Sequence, residues 1–470
     1  MFREGFTWGA ASSSYQIEGG ATAHGRGPSV WDAFSAEPGK VFRNHTGAVA
    51  CDHYHRLSED VAIMKRIGLQ AYRFSVSWSR VLPTGRGAVN GAGLAFYDRL
   101  VDELLGAGIE PWLTLFHWDY PQALQLEGGW LNPDSPKWFA DYATLMTQRL
   151  SDRVRHWMTI NEPQVYIGLG FRDGTHAPGM KLPDAQWLMA GHRTLLAHGL
   201  GCQAIRAAAK ARPSVGWAIV NRVEFPATDS PADIEAARRS TLSVTAKDTW
   251  SNTWWADPAL LGHYPEDGLR LFGTSAPTFT AAEMDTIRQP LDFYGVNIYS
   301  GEPVKAGPDG NPIKIDWADG NPMTTFRWNV SPQSLQWGPR FLYERYRTPI
   351  VVTENGMANT DWVHADGAVH DPQRIDFTRA YLLELAKAAA AGTDVRGYFH
   401  WSILDNFEWA EGFRERFGLV HVDFATGKRT LKDSAKWYRE VIASNGRTLL
   451  SAGKPRSELE AAPLPSEVLQ

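Results

Sequence analysis

Two cysteines, Cys51 and Cys202, are all that 470 residues contain. No disulfide framework can hold a chain of this length together, and the expected compartment is a reducing one. Apolar runs of about 18 residues, the length a membrane-spanning helix needs, are missing. The opening Met1-Phe2-Arg3-Glu4-Gly5-Phe6 lacks the apolar stretch of a secretory signal, so the cytoplasm is the expected location. Neither sign of charge dominates: 47 basic against 52 acidic side chains leave a net charge of −5. That balance offers no cationic field for a nucleic-acid backbone. Also missing are a glycine-rich phosphate loop after the first strand, a His-Glu-x-x-His pair and a Gly-x-Ser-x-Gly elbow.

Aromatic rings, by contrast, are plentiful: 20 tryptophans, 15 tyrosines and 21 phenylalanines. Eight apolar, β-branched or aromatic runs read as strands: Phe6–Ala11, Ala71–Val76, Glu110–Phe116, Val154–Asn161, Val215–Val220, Phe293–Ile298, Ile350–Glu354 and Val395–Trp401. Most are nearly continuous, as in strands covered on both faces. Helical spacing fills the gaps at His53–Ile67, Gly93–Leu105, Lys137–Leu150, Ala185–Ala211, Ile234–Trp250, Leu335–Tyr346, Arg374–Ala391 and Leu431–Ala443. Alternation of this kind predicts an α/β chain folded as a single (β/α)8 TIM barrel with elaborated βα loops. One domain is expected over residues 1–450, with a flexible tail at 451–470. The Pro/Gly-rich Gly301–Asn329 segment is expected to be a loop shaping a pocket mouth. Asp52 is placed to cap the His53 helix, and metal binding around His53 and His55 is the weaker reading because no matching Cys, His or carboxylate set appears at ligand spacing.

A barrel of this class keeps its chemistry at the C-terminal ends of its strands, and the polar oddities of this chain gather there. Gln16 follows the first strand, Arg73 lies on the second, and His117-Trp118 follow the third. Asn161-Glu162 close the fourth, Asn297 and Tyr299 mark the sixth, Glu354 ends the seventh and Trp401 the eighth, followed by Glu408-Trp409.

Glu162 and Glu354 are 192 residues apart, yet each closes a strand. Two carboxyls on one barrel opening are the minimum equipment for cleaving a glycosidic bond. Glu162 reads as the general acid/base, requiring a pKa raised by burial and by the second carboxyl. Glu354 reads as the nucleophile, oriented by Arg73 and Tyr299. Asn161 is suited to the sugar 2-hydroxyl, and Gln16, His117 and Glu408 to other hydroxyls. Trp401 would form a stacking floor, with Trp409 donating its indole N–H and Trp118 and Trp328 as further rings at strand ends.

These residues lie within longer ordered motifs. They include Phe6-x-Trp8-Gly9-x-Ala11, Gln16-Ile17-Glu18-Gly19, Tyr72-Arg73-Phe74-Ser75, Leu115-x-His117-Trp118-Asp119 and Thr159-x-Asn161-Glu162-Pro163. Further along come Asp292-Phe293-x-Gly295-x-Asn297-x-Tyr299, Thr353-Glu354-Asn355-Gly356, the run from Gly397 to Trp409, and Phe417-Gly418-Leu419. Over Phe6 to Ile442 the chain resembles family 1 glycoside hydrolases, and within them bacterial β-glucosidases. The resemblance implies a retaining exo-β-glycosidase that needs no metal or organic cofactor and acts on a small β-glycoside. It implies acid/base and nucleophile roles for Glu162 and Glu354, with Asn297 and Tyr299 beside the nucleophile. A sugar site of Gln16, His117, Asn161, Trp401, Glu408 and Trp409 follows, with Phe417 on the wall near the 6-hydroxyl and Trp328 as aglycone platform. The pattern departs after Trp328, where Asn329-Val330-Ser331-Pro332-Gln333-Ser334 replaces the usual Glu and Gly.

A β-glucosidase is the leading expectation, with side activity on β-galactosides or β-fucosides. A β-galactosidase or broad β-glycosidase of the same fold is the alternative, because the two sugars differ only at O4. Oligomeric state is not written in the sequence, and no membrane or nucleic-acid partner is expected.

Overall fold

The computed structural model describes residues 2–450. The tail expected at 451–470 lies outside the described residues.

Eight parallel strands close into a barrel: β1 (Thr7–Ala11), β2 (Ala71–Ser75), β3 (Glu110–Phe116), β4 (His156–Asn161), β5 (Ser214–Val220), β6 (Phe293–Asn297), β7 (Ile350–Asn355) and β8 (Val395–Trp401). Each strand pairs with its neighbours in sequence, and β8 pairs with β1 from Thr7↔Gly397 to Ala11↔Trp401. The helices expected from spacing are present with ends moved by a few residues, among them Gly91–Gly106, Ser135–Leu150, Asp184–Ala208 and Pro372–Ala390. One is shorter: the helix expected to run to Trp250 ends at Leu242. Among the described residues no helix is long and apolar enough to cross a membrane.

Both faces of the strands are buried, which is why the runs read as continuous rather than alternating. Outward side chains such as Tyr72, Leu113, Trp157, Trp217, Tyr294, Val352 and Tyr398 join the large core beneath the helices. Inward side chains form a second cluster of Ala11, Ala71, Trp112, Met158, Ala218, Phe293, Val351 and Phe399. Trp112 is its centre, with ring centroids 5.2 Å from Phe293 and 5.0 Å from Phe399, and stacked on His156 at 3.9 Å. This apolar plug fills the lower barrel.

Two expectations need correction. Gly301–Asn329 is not a plain loop. Its Gly301–Ala306 pairs in parallel with Val223–Pro226 and antiparallel with Pro312–Lys314, forming a three-stranded sheet. Its strand at 312–314 is exposed, so burial left no apolar signature to read. Asp52 precedes the His53–Ile67 helix but does not cap it with its side chain. Its φ of 54° turns the chain into the left-handed region, and the carboxylate meets His55 Nδ1 at 2.5 Å instead.

Loops after β7 and β8 are tied by a buried, balanced charge network. Lys432 Nζ donates to Asp361 at 2.5 Å and to Asp405 at 2.7 Å. Arg374 pairs with Asp361 and Asp371, and Arg416 with Asp405. Removing one partner strands the opposite charges away from water, where such losses cost several kcal/mol. Lys432→Met should therefore lower the unfolding free energy by about 3–5 kcal/mol, read by urea denaturation. A loss below about 1 kcal/mol, the size expected of an exposed ion pair, would contradict the buried network.

Candidate active site

Above the apolar plug the barrel interior turns polar. Arg73, one inward step beyond Ala71 on β2, is fully buried and spends its donors on protein. Its Nη1 meets Glu354 Oε1 at 2.5 Å and the Thr353 carbonyl at 3.2 Å; Nη2 meets Asn161 Oδ1 at 2.7 Å; Nε meets Thr114 Oγ1 at 3.2 Å. Asn297 on β6 donates to Asn161 Oδ1 at 3.1 Å and to Glu162 Oε1 at 2.7 Å. A continuous hydrogen-bonded bridge thus runs from Glu354 through Arg73, Asn161 and Asn297 to Glu162. The two carboxyls, far apart in sequence, are held on one frame.

Their surroundings differ. Glu354 takes Arg73 on one oxygen and the Tyr299 hydroxyl on the other at 2.6 Å. Burial, then the Glu354 charge, push the Tyr299 phenol well above its usual range, so it stays a donor. Glu162 has no cation in contact: burial first and the Glu354 charge second raise its pKa well above the usual carboxyl value. Asn297 and Arg73 oppose that rise without reversing it. One carboxyl is ion-paired and its neighbour favours the proton.

Local backbone follows from these placements. Glu162 (φ 45°), Trp118 (φ 78°) and Trp409 (φ 51°) are all left-handed, a costly state for side chains of this size and one that concentrates at functional sites. Gly356 has a different reason: a Cβ there would lie 1.9 Å from the Trp401 carbonyl oxygen, so only glycine lets the chain after Glu354 pass under β8.

A cavity of about 480 Å³ opens over this layer, within the range of ligand clefts. Glu162, Glu354, His117, Trp118, Tyr299, Trp328, Trp401, Glu408, Trp409 and Phe417 all line it. Gln16, Arg73, Asn161 and Asn297 lie beneath the lining, fully buried. The Gln16 amide is engaged by protein: Oε1 accepts from Ser13, and Nε2 faces Asn406, Phe407 and Glu408. Asn161 Nδ2 points to His117 Nε2 at 3.0 Å. Burial, then Arg73, lower the His117 pKa well below its usual value. The neutral ring accepts at Nε2, so Nδ1 carries the proton, and it has no partner in the protein. Trp118 donates Nε1 to the Asn161 carbonyl at 2.9 Å and packs on Trp409 at 4.4 Å, acting as a strut as well as a wall. Burial, with Glu354 next, pushes Glu408 up to about 8.

The family follows from comparison with known proteins. The model of Glycosyl hydrolase family 1 matches residues 1–447. The chain belongs to glycosyl hydrolase family 1. β-Glucosidase A of Thermotoga maritima is 42% identical over 448 residues, covering 95% of this chain and 98% of that protein. A 1,4-β-D-glucan glucohydrolase of Thermotoga neapolitana is 42% identical over 450 residues, covering 95% and 99%. Among solved structures, the T. maritima β-glucosidase in complex with glucoimidazole superposes with a TM-score of 0.87 at 42% identity, covering 95% of this chain and 99% of that one.

Residues that sequence reasoning missed form the mouth of this family 1 cleft: Val165, Leu169, His176, Asn221, Trp250 and Phe326. Val165 and Leu169 lie on the short helical turns that follow β4, Asn221 directly follows β5, and His176, Trp250 and Phe326 sit on loops. Among the described residues no group of three or more His, Cys, Asp or Glu side chains is placed to hold a metal ion.

Because the Glu354 charge is the second-largest influence raising Glu162, Glu354→Gln should move the Glu162 pKa downward. A carbon-13 titration of the labelled carboxyl reads this directly. An unchanged or higher value would mean the two carboxyls do not feel each other.

Proposed function

We propose that this chain is a retaining exo-β-glucosidase, releasing terminal non-reducing β-glucosyl units, with Glu162 as acid/base and Glu354 as nucleophile. One observation carries the reading: two carboxyls line a single sugar-sized cavity, one paired to Arg73 and Tyr299, the other driven toward its protonated form. That asymmetry suits double displacement. Glu162 gives its proton to the glycosidic oxygen as Glu354 attacks the anomeric carbon, forming a glycosyl ester. Ester formation removes the Glu354 charge, and with it the Coulombic push on Glu162. The acid of the first step thereby becomes a better proton acceptor for the water of the second. Alkaline loss of activity follows the same sign: as pH rises through the elevated Glu162 pKa, the proton needed by the leaving group is gone.

The plug of Trp112, Phe293 and Phe399 closes the barrel below the carboxyls, which supports action at chain ends. Trp401 and Trp409 flank the His117 ring, each at 5.8 Å, giving a sugar apolar faces beside a free imidazole N–H donor. Asn161 and Gln16 fit best as positioning groups, the first for Arg73 and His117, the second for Glu408. Glu408 then meets hydroxyls around O4 and O6, and its tendency to hold a proton lets it both donate and accept. A 6-phosphorylated sugar is disfavoured, since no Lys or Arg among the described residues lines the cavity. The names of the relatives support glucose over galactose. A β-galactosidase reading predicts the opposite ranking of kcat/KM on paired nitrophenyl glycosides.

Proton NMR of early turnover should show the β-anomer of glucose released first; α-anomer would overturn retention. Glu162→Ala should cost about 10²–10⁴-fold in kcat/KM on a natural disaccharide and much less on an activated dinitrophenyl glucoside, whose departure needs no proton. Equal losses on both substrates would deny Glu162 the acid role.

A further inference from the structure

Thr353, the residue before Glu354 on β7, is fully buried beneath the cavity and does not line it. Its hydroxyl donates to Asn297 Oδ1 at 2.6 Å, and its carbonyl accepts from Arg73 Nη1. No step of the double displacement touches that hydroxyl. We propose that Thr353 is a positioning residue for the acid/base: its hydroxyl locks the Asn297 amide with the N–H side toward Glu162, and so sets how readily Glu162 gives up its proton and takes one back. The proposal rests on the acid/base role assigned to Glu162 and adds the group that tunes it.

The sense of each hydrogen bond follows from Arg73, which can only donate. Its Nη2 makes Asn161 Oδ1 an acceptor at 2.7 Å, so Asn297 turns its own Nδ2 toward that oxygen, at 3.1 Å. The second hydrogen of the same Nδ2 reaches Glu162 Oε1 at 2.7 Å. Asn297 Oδ1 is thereby aimed at β7 inside a fully buried layer, where an acceptor left without a donor is costly. The Thr353 hydroxyl meets that need. Turned over, the amide would set its oxygen against the Asn161 oxygen and against Glu162, an arrangement that only a protonated Glu162 tolerates. Amide orientation and Glu162 protonation are therefore linked: N–H toward Glu162 favours the carboxylate, and oxygen toward it favours the acid. Asn297 accordingly opposes the upward push that burial, then the Glu354 charge, give Glu162. The charged groups acting on Glu162 are Glu354 on β7, Arg73 on β2 and Glu408 after β8, and none of them bonds the Thr353 hydroxyl. The same amide donor steadies ionised Glu162 once the glycosyl ester has formed, when it must take the proton of water.

The test follows the alkaline limb of kcat/KM on an aryl glucoside, which reports Glu162 in the free enzyme, in wild type, Thr353→Val, Thr353→Ala and Thr353→Ser. Losing the hydroxyl should raise the Glu162 pKa, so activity should persist to a pH higher by about 0.5–1 unit, the equivalent of one hydrogen bond. Thr353→Val and Thr353→Ala should both show this shift, and the alanine variant decides the outcome if the valine side chain prevents folding. Thr353→Ser keeps the donor and should return the limb to its wild-type place. A merely structural role would lower kcat or thermal stability and leave the limb where it is. A limb unmoved or moved to lower pH in the folded hydroxyl-free variants would overturn the proposal, as would a serine variant that shifts with them. Glu162→Ala on a dinitrophenyl glucoside separates this from the role beneath it. If that variant keeps the wild-type alkaline limb, the limb belongs to another group and the acid role of Glu162 falls instead.

Discussion

Glu354, Arg73, Asn161, Asn297 and Glu162 are joined by hydrogen bonds across strands β7, β2, β4 and β6, and the site depends on that bridge. A buried guanidinium is expensive, and a single ion pair with Glu354 would leave most of its donors unsatisfied. Here every Arg73 nitrogen has a protein acceptor. The same bridge sets two different fates for chemically identical side chains. Glu354 is next to the cation; Glu162 receives only an amide and feels its neighbour's charge. Distance from one arginine separates the ion-paired carboxyl from the one that favours the proton.

The barrel supplies the frame because its interior is layered. Small and aromatic residues occupy the lower inward positions, and inward positions higher on β2, β3 and β6 bring Arg73, Thr114 and Asn297. A one-residue slip in any of these strands would exchange them with outward Tyr72, Leu113 or Val296 and place polar groups against the helices. The apolar plug thus fixes register, and register places the chemistry. Left-handed backbone at Trp118, Glu162 and Trp409 then turns three side chains over the rim. Their strain is tolerated because hydrogen bonds and ring packing around them over-determine the conformation.

Much of this was legible from residues. Continuous apolar runs located all eight strands, since burial on both faces leaves a dense signature. The convergence of Glu162 and Glu354 followed from both closing strands of one barrel. What escaped had physical reasons. Gly301–Ala306 is half-exposed and pairs with Val223–Pro226 across a long separation, and Pro312–Lys314 is exposed, so neither hydrophobicity nor spacing announced them. Trp250 gave a helical impression, but the helix stops at Leu242 and the ring belongs to the cleft mouth. The protein contacts of the Asn161 and Gln16 amides, to Arg73, Asn297 and His117 and to Ser13, Asn406, Phe407 and Glu408, depend on residues distant in sequence and were not readable from either motif. The upward push on the Glu408 pKa could not be foreseen either, because it is a collective effect of burial and three other carboxyls.

The ring of Trp112 beneath the carboxyls has one more consequence. Because the shaft is stoppered at its base, a glucose freed at the bottom has no rear exit. It must climb past the same rim that the next substrate descends, and it leaves only after the severed leaving group has vacated the cavity above. Each turnover is therefore a queue at a single doorway, where entry and departure take turns.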